Sequence, residues 1–532
     1  MMRSIRGTRG MAVAPHALAA QSALAVLREG GNALEAMVAC AATIAVVYPH
    51  MNSMGGDAFW LVSVPGEAPR AIDACGAAAS RASIEWYAER GVSGSLPARG
   101  PLAALTVAGA VAGWELALGE ARKMGGKLPL TRLLADAVDY AIRGIPVSGS
   151  LARSIAAKQA ELGTLPGYAS AFLPGGVAPR EGERFVQPRL AAALHHLSEA
   201  GLDDFYRGDL ARSIASDLEK LGSPISLNDL ITHRARWRTP LALAHSKGTV
   251  FNLPPPTQGL VSLLILGQLD RIGLDGLAHD EPTFVHLAVE ATKQAFAIRN
   301  RYITDPTYMA VEAQGFLEAD ALRAMAESIT PDRAAPWPPL PGPGDTVWMG
   351  VVDDAGRAVS CIQSIYHEFG SGIVLGESGI NWQNRGVSFS LDSAALNALV
   401  PGRKPFHTLN PALAQLHDGR TVVFGTMGGD GQPQTQSAIF SRYVNFGLNP
   451  QAAIDAPRWR LGRAWGQDSD TLKLESRFPE ATASRLRAFG HEIEMLGAYD
   501  ESMGHAGMLV RHANGTLEGG SDPRSDGCVA AF

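Results

Sequence analysis

Thr346 is the residue of this chain best placed to do chemistry. It follows Asp345 and the Pro341-Gly342-Pro343-Gly344 segment, and it precedes the apolar run Val347-Trp348-Met349-Gly350-Val351-Val352. A backbone that is loose on one side and pinned in a strand on the other lets a hydroxyl turn back onto the preceding carbonyl. Thr346 is therefore expected to cut its own chain after Asp345. The freed amine, with an ordinary pKa of about 7.7–8.0, would then be a base beside its own Oγ1 near neutral pH. Most threonines before strands only pack a methyl, so the reading depends on what lies downstream. Glycine-bearing runs follow at Phe369-Gly370-Ser371-Gly372, Gly376-Glu377-Ser378-Gly379 and Gly425-Thr426-Met427-Gly428-Gly429-Asp430, and Ser521-Asp522-Pro523-Arg524-Ser525-Asp526-Gly527 comes last. The adjacent Gly428 and Gly429 can aim successive N–H groups into one concavity, which suits a developing oxyanion.

With these runs the chain resembles the gamma-glutamyltransferase (gamma-glutamyltranspeptidase) family. The likeness continues upstream in Gly30-Gly31-Asn32-Ala33-Leu34-Glu35-Ala36, Pro49-His50, Gly55-Gly56-Asp57-Ala58-Phe59, Phe205-Tyr206-Arg207-Gly208 and Pro254-Pro255-Pro256-Thr257-Gln258-Gly259, all in the family's order. The resemblance implies an N-terminal-nucleophile hydrolase with a four-layer αββα sandwich. It implies a precursor cleaved between Asp345 and Thr346 into a large region, 1–345, and a small one, 346–532, which stay together as one split domain. A dimer of such pairs is compatible with that. Thr346 matches the nucleophile, Gly428 and Gly429 the oxyanion glycines, and Ser364 a hydroxyl that assists self-cleavage. No metal or organic cofactor is implied.

The chain departs from the family where the family binds a glutamyl group. The segment that carries the carboxylate-binding arginine reads Asp73-Ala74-Cys75-Gly76 here, and the ammonium acceptors are replaced by Tyr366 and Ser388. The paired serines become His407-Thr408. A hydrogen bond to a charged group contributes about 1.5–3 kcal/mol, so losing three such contacts argues against a zwitterionic γ-glutamyl donor. Arg385, His367 and His407 bring positive or switchable charge into those segments instead. The expected substrate is a small amide that carries a carboxylate. Pro49-His50-Met51-Asn52 and Asn384-Arg385-Gly386 resemble the branch of the family that splits oxamate into oxalate and ammonium in purine-nitrogen scavenging. Rival readings are a glutathione hydrolase or transferase with a rebuilt pocket, an acylase for glutaryl-type side chains, and an uncleaved silent relative that only binds a small ligand.

Spacing places the elements that must hold these residues. Helical periodicity runs through Ala17–Arg28, Leu128–Ile142, Phe284–Arg299 and Glu480–Phe489, and Ala36–Val47 reads as a buried helix too short to span a bilayer. Strand-like runs are Phe59–Val64, Met349–Val352, Ala358–Ile362 and Thr421–Gly425, which gather around the cut. The Ala334–Gly344 stretch is the clearest internal boundary. At 532 residues with a net charge of −6, the chain lacks the basic surplus of a nucleic-acid partner. Cys40, Cys75, Cys361 and Cys528 show no metal-ligand spacing, and a reduced compartment is expected. Pro15, His16 and Gln21 interrupt the apolar stretch near the N-terminus, so it reads as a helix of the fold and the cytoplasm as the location. His195-His196 reads as a solvated helix face, and Gly370-Ser371-Gly372 lacks a phosphate-loop lysine.

Overall fold

The computed structural model describes residues 3–337, 345–463 and 469–532; of Asp345 it describes the backbone alone. The expected boundary segment Ala334–Gly344 therefore lies largely outside the described residues.

Strand alternation builds the layers. In the strand Asp345–Val352, Val347, Met349 and Val351 pack into a core shared with the helices Ala17–Arg28 and Ala33–Val47. Trp348 and Val352 of the same strand point the other way, into a core with Phe59, Leu61, Ile362, Leu413, Val423 and Leu509. That second core is sandwiched between two antiparallel sheets of seven strands each. One sheet has Asp345–Val352 near its centre, between Met11–Ala14 and Ala358–Tyr366. In the other, Thr421–Thr426 lies between Ala412–Leu416 and Ala506–Arg511. A third core joins the outer face of that sheet to the helices Gly259–Ile272, Pro282–Tyr302 and Gln432–Val444. Helix, sheet, sheet, helix is the expected αββα order.

The sheets approach closely because glycines face a tryptophan. A Cβ on Gly425 or on Gly507 would lie within 2.4 Å of the Trp348 ring, so both strands of the facing sheet accommodate that side chain by having none of their own. The Trp348 indole N–H donates to Ser360 Oγ at 2.9 Å, which satisfies its one polar atom in the dry layer.

Helix ends explain where the expected ranges shift. Ala17–Arg28 is found as the spacing predicts. The buried helix begins earlier than expected, at Ala33, because Asn32 and Glu35 form a reciprocal capping box. The next helix starts at Leu130, after Pro129, instead of Leu128. No helix among the described residues is long and apolar enough to cross a membrane. The four cysteines are free thiols. His195 is 3.7 Å from Glu199 and His196 2.9 Å from Asp204, as on a solvated helix face.

Candidate active site

Thr346 is the second residue of its strand, with its side chain fully buried. Strand alternation sends it to the same side as Trp348, into the seam between the sheets. The ladder with Ala358–Tyr366 shifts register here. Asp345 pairs with Tyr366 and Val347 with Gln363, so Thr346 faces both Ser364 and Ile365. Such a bulge re-aims a side chain. It brings Thr346 Oγ1 to 3.3 Å from Ser364 Oγ, and Gln432 Nε2 reaches Thr346 Oγ1 at 3.4 Å from the facing layer.

The facing sheet supplies the glycines. Gly428 and Gly429 follow the strand Thr421–Thr426 and adopt φ of 116° and 53°, the left-handed region that glycine enters without a Cβ penalty. Neither amide donates to a described backbone carbonyl outside helices and strands. The loop is held from behind. Gln258 Nε2 donates to Gly429 O and to Thr408 O, both at 2.8 Å. Gln258 Oε1 accepts from Arg299 Nη1 at 3.0 Å, and the same nitrogen donates to Asp430 Oδ1 at 2.7 Å. Arg299 and Asp430 are both buried, so their pairing is little weakened by solvent.

Of the residues expected to contact substrate, Tyr366, Ser388 and Thr408 line a cavity of about 490 Å³ together with Arg299, Phe406 and Asp430. Arg385 and His407 are buried behind it. The Arg385 guanidinium lies 3.9 Å from the Tyr366 ring centre, and its Nη1 donates to Thr408 Oγ1 at 3.4 Å. Its Nε and Nη2 have no partner among the described residues. Burial pulls Arg385 down to about 10, which leaves it charged at neutral pH. Tyr366 adopts φ of 79°, a conformation that costs a non-glycine residue of order 1–3 kcal/mol. Its amide donates to Ser364 Oγ at 2.8 Å, which links the arginine's platform to the neighbour of Thr346.

The expected switchable charge on the histidines is not found. Burial pushes His407 well below its ordinary value, with Arg385 and Lys404 adding to the effect. Burial and the nearby Arg99 and Arg385 take His367 down to about 3. Both are neutral at pH 7, because a dry site beside fixed cations disfavours a second positive charge. Of the three, only Arg385 stays charged.

Asp57 was legible only as part of a glycine motif, yet it sits at the centre of this cluster. Its Oδ1 accepts from the amides of Gly76 and Gly109, both at 3.0 Å. Its Oδ2 faces His407 Nε2 at 3.4 Å, although neither atom completes an aligned hydrogen bond. Burial pushes Asp57 up from 3.8 to about 7, against the opposing pull of the Gly76 amide and Arg385. A raised carboxyl contributes stability that is complete below the unfolded value and is lost as pH climbs through the folded one. Asp57→Asn should therefore gain melting temperature relative to the unsubstituted chain as pH rises from about 4 to about 8. A difference that does not change with pH would show that Asp57 does not titrate there.

Metal-ligand geometry occurs among the described residues at His286, Glu290 and His491. That group is already knit together. His286 Nδ1 is 2.8 Å from His491 Nε2, and Glu290 takes Lys293 Nζ at 2.7 Å and the Ala335 amide at 3.0 Å. An ammonium in the shell opposes a cation, and none of these residues touches the Thr346 cluster.

Known proteins resemble the chain along nearly its whole length. The profile of the family described as Gamma-glutamyltranspeptidase matches residues 19–532. The chain is 58% identical over 526 residues to an oxamate amidohydrolase proenzyme of Klebsiella pneumoniae, covering 99% of each chain. It is 39% identical to a glutathione hydrolase-like proenzyme of Bacillus subtilis, covering 100% of both. Among solved structures, a cephalosporin acylase from Bacillus halodurans superposes with a TM-score of 0.91 at 34% identity, over 100% of this chain and 97% of that one.

Proposed function

This chain belongs to the gamma-glutamyltranspeptidase family and is a hydrolase acting on amides; from that premise we propose that it processes itself at Thr346 and cleaves a small carboxylate-bearing amide, oxamate first among them. The observation that carries the substrate class is Arg385: a charged, buried guanidinium with two donors that no described residue accepts. Leaving a buried donor unpaired costs about 1–3 kcal/mol, more when it is charged, and a carboxylate would satisfy two at once in the fork geometry of arginine. The family resemblance places its carboxylate-binding arginine in the segment matching Asp73–Gly76. Arg385 and Asp57 are close enough for their charges to interact, and Asp57 Oδ1 accepts from the Gly76 amide, so a guanidinium from a different segment stands near the same corner. The identity shared with the oxamate amidohydrolase proenzyme supports the choice of oxamate.

In the maturation step, Thr346 Oγ1 attacks the Asp345 carbonyl carbon, the C–N bond breaks, and water hydrolyses the resulting ester. That leaves a free amine on Thr346 and a carboxyl on Asp345. In turnover the same oxygen attacks the substrate amide while the amine takes its proton. The Gly428 and Gly429 amides face the oxyanion, ammonia departs, and water releases the acid. Gln432, which touches Thr346 Oγ1, is a positioning residue in this scheme.

Ammonium release from oxamate by the two-piece protein tests the assignment, with a γ-glutamyl anilide as the competing substrate. Oxamate turnover at least tenfold more efficient than anilide cleavage is expected. The reverse order would establish a glutathione-type hydrolase with a rebuilt pocket. Release from neither would turn the search to glutaryl-type amides.

A further inference from the structure

A second cavity, of about 730 Å³, is lined by Cys75 and Lys404 and by residues of the 228–238 stretch, and none of Thr346, Ser364, Arg385, Gly428 or Gly429 lines it. Its size lies in the range of small-ligand sites. One wall is the sequence Arg234-Ala235-Arg236-Trp237-Arg238, which ends in the edge strand Arg236–Arg238 of the first sheet. Alternation along an extended chain puts the three arginines on one side and Trp237 on the other. The structure bears this out. Arg234, Arg236 and Arg238 line the cavity, while Trp237 is stacked under Arg70 at 4.1 Å and packs into the helical core. Lys404 lines it too, beside Arg238.

The acids of the wall are already engaged. Asp229 accepts from the Ser80 amide at 2.8 Å and from the Ser226 amide and hydroxyl at 2.8 and 2.6 Å. Asp305 accepts from the amides of Thr307 and Lys404 at 3.0 and 2.8 Å. Beneath the wall, Asp73 is shared by Lys404 at 2.6 Å and Arg238 at 3.5 Å, one carboxylate between two cations. Arg234 spends one nitrogen on the carbonyls of Ile231 and His233. Arg236 makes no ion pair among the described residues. The wall thus holds four cationic groups, of which Lys404 and Arg238 share Asp73 while Arg234 and Arg236 make no ion pair among the described residues.

We propose that this cavity is a second anion site, which takes a small organic polyanion such as a di- or tricarboxylate or a phosphate. The chemistry is the same for both sources: several acceptor oxygens meeting convergent guanidinium donors. The site stands apart from Thr346, so it holds whether or not oxamate is the substrate. The segment from Lys404 to Thr408 nevertheless runs from this cavity to the one lined by Tyr366 and Ser388, since Phe406 and Thr408 line the latter.

The test is calorimetric titration of citrate, oxalate and inorganic phosphate into the full protein at constant ionic strength. Arg234→Gln/Arg236→Gln and the charge-keeping Arg234→Lys/Arg236→Lys are the variants, and both positions are exposed, so the fold should tolerate them. Saturable binding of a multivalent anion is expected, weakened about tenfold or more in the glutamine pair and less in the lysine pair, with kcat and KM for the amide unchanged without added anion. Whether carboxylate or phosphate binds more tightly identifies the source. Equal binding by the glutamine pair, or heats that chloride reproduces at the same ionic strength, would overturn the proposal.

Discussion

Thr346→Ala is expected to leave the protein as one 532-residue polypeptide and to stop ammonium release altogether. Both losses have one cause in the proposed scheme, where the same hydroxyl attacks the Asp345 carbonyl once and the substrate amide thereafter. Removing the nucleophile from an acyl-transfer hydrolase lowers turnover by roughly 10⁴- to 10⁶-fold. Thr346→Ser keeps the oxygen and removes only the methyl, so it should still split, more slowly, and retain activity. The methyl matters because Thr346 is packed in a fully buried seam, where losing it lets the hydroxyl leave the rotamer that faces Ser364 and Gln432. Denaturing electrophoresis with N-terminal sequencing of the smaller piece decides the first half, and an ammonium assay on the same samples the second. A Thr346→Ala protein that still divides at this bond, or that turns over normally, would remove the residue from both roles.

Arg385→Met should lower kcat/KM for oxamate by about 10²-fold or more, while leaving cleavage at Thr346 intact. Each hydrogen bond from a charged donor contributes about 1.5–3 kcal/mol, and tenfold in rate corresponds to about 1.4 kcal/mol. The uncharged analogue, oxamide, should be cleaved almost equally by both proteins, since it offers no carboxylate to lose. Lysine should rescue poorly, because a point charge cannot replace a planar fork stacked on Tyr366. The substitution also takes a cation from beside Asp57, whose carboxyl Arg385 helps to hold down. For that reason Arg385→Met/Asp57→Asn separates the two effects: if the carboxylate contact is what matters, the double variant discriminates oxamate from oxamide no better than the single one. Discrimination that survives Arg385→Met would mean that the substrate carboxylate meets another group.

Much of the site was legible because it is built from local patterns. A threonine between a proline- and glycine-rich segment and a period-two strand announces itself, and so does a glycine pair after a strand. Tyr366, Ser388 and Thr408, found by matching segments, do line one cavity. Gln432 and the Arg299–Asp430 pair were not singled out. Each lies within or beside a quoted motif or expected helix, but its partner is more than eighty residues away.

The sequence alone identified the family, through motifs that stand in the family's order, and with it the expected αββα layering that the fold shows; it also marked Thr346 and the altered glutamyl-binding positions as the residues to test. What only the tertiary structure decided was charge. His367 and His407 are neutral, Asp57 titrates near neutrality, and Arg385 stays charged with two donors that no described residue accepts. The physical reason is that the free energy of an ionised group is set by the water it loses and the charges it meets. At this site those neighbours come from residues 57, 366, 385 and 407, two from the ends of adjacent strands of one sheet and two from the irregular segments packed over them, which tertiary packing brings into one dry volume.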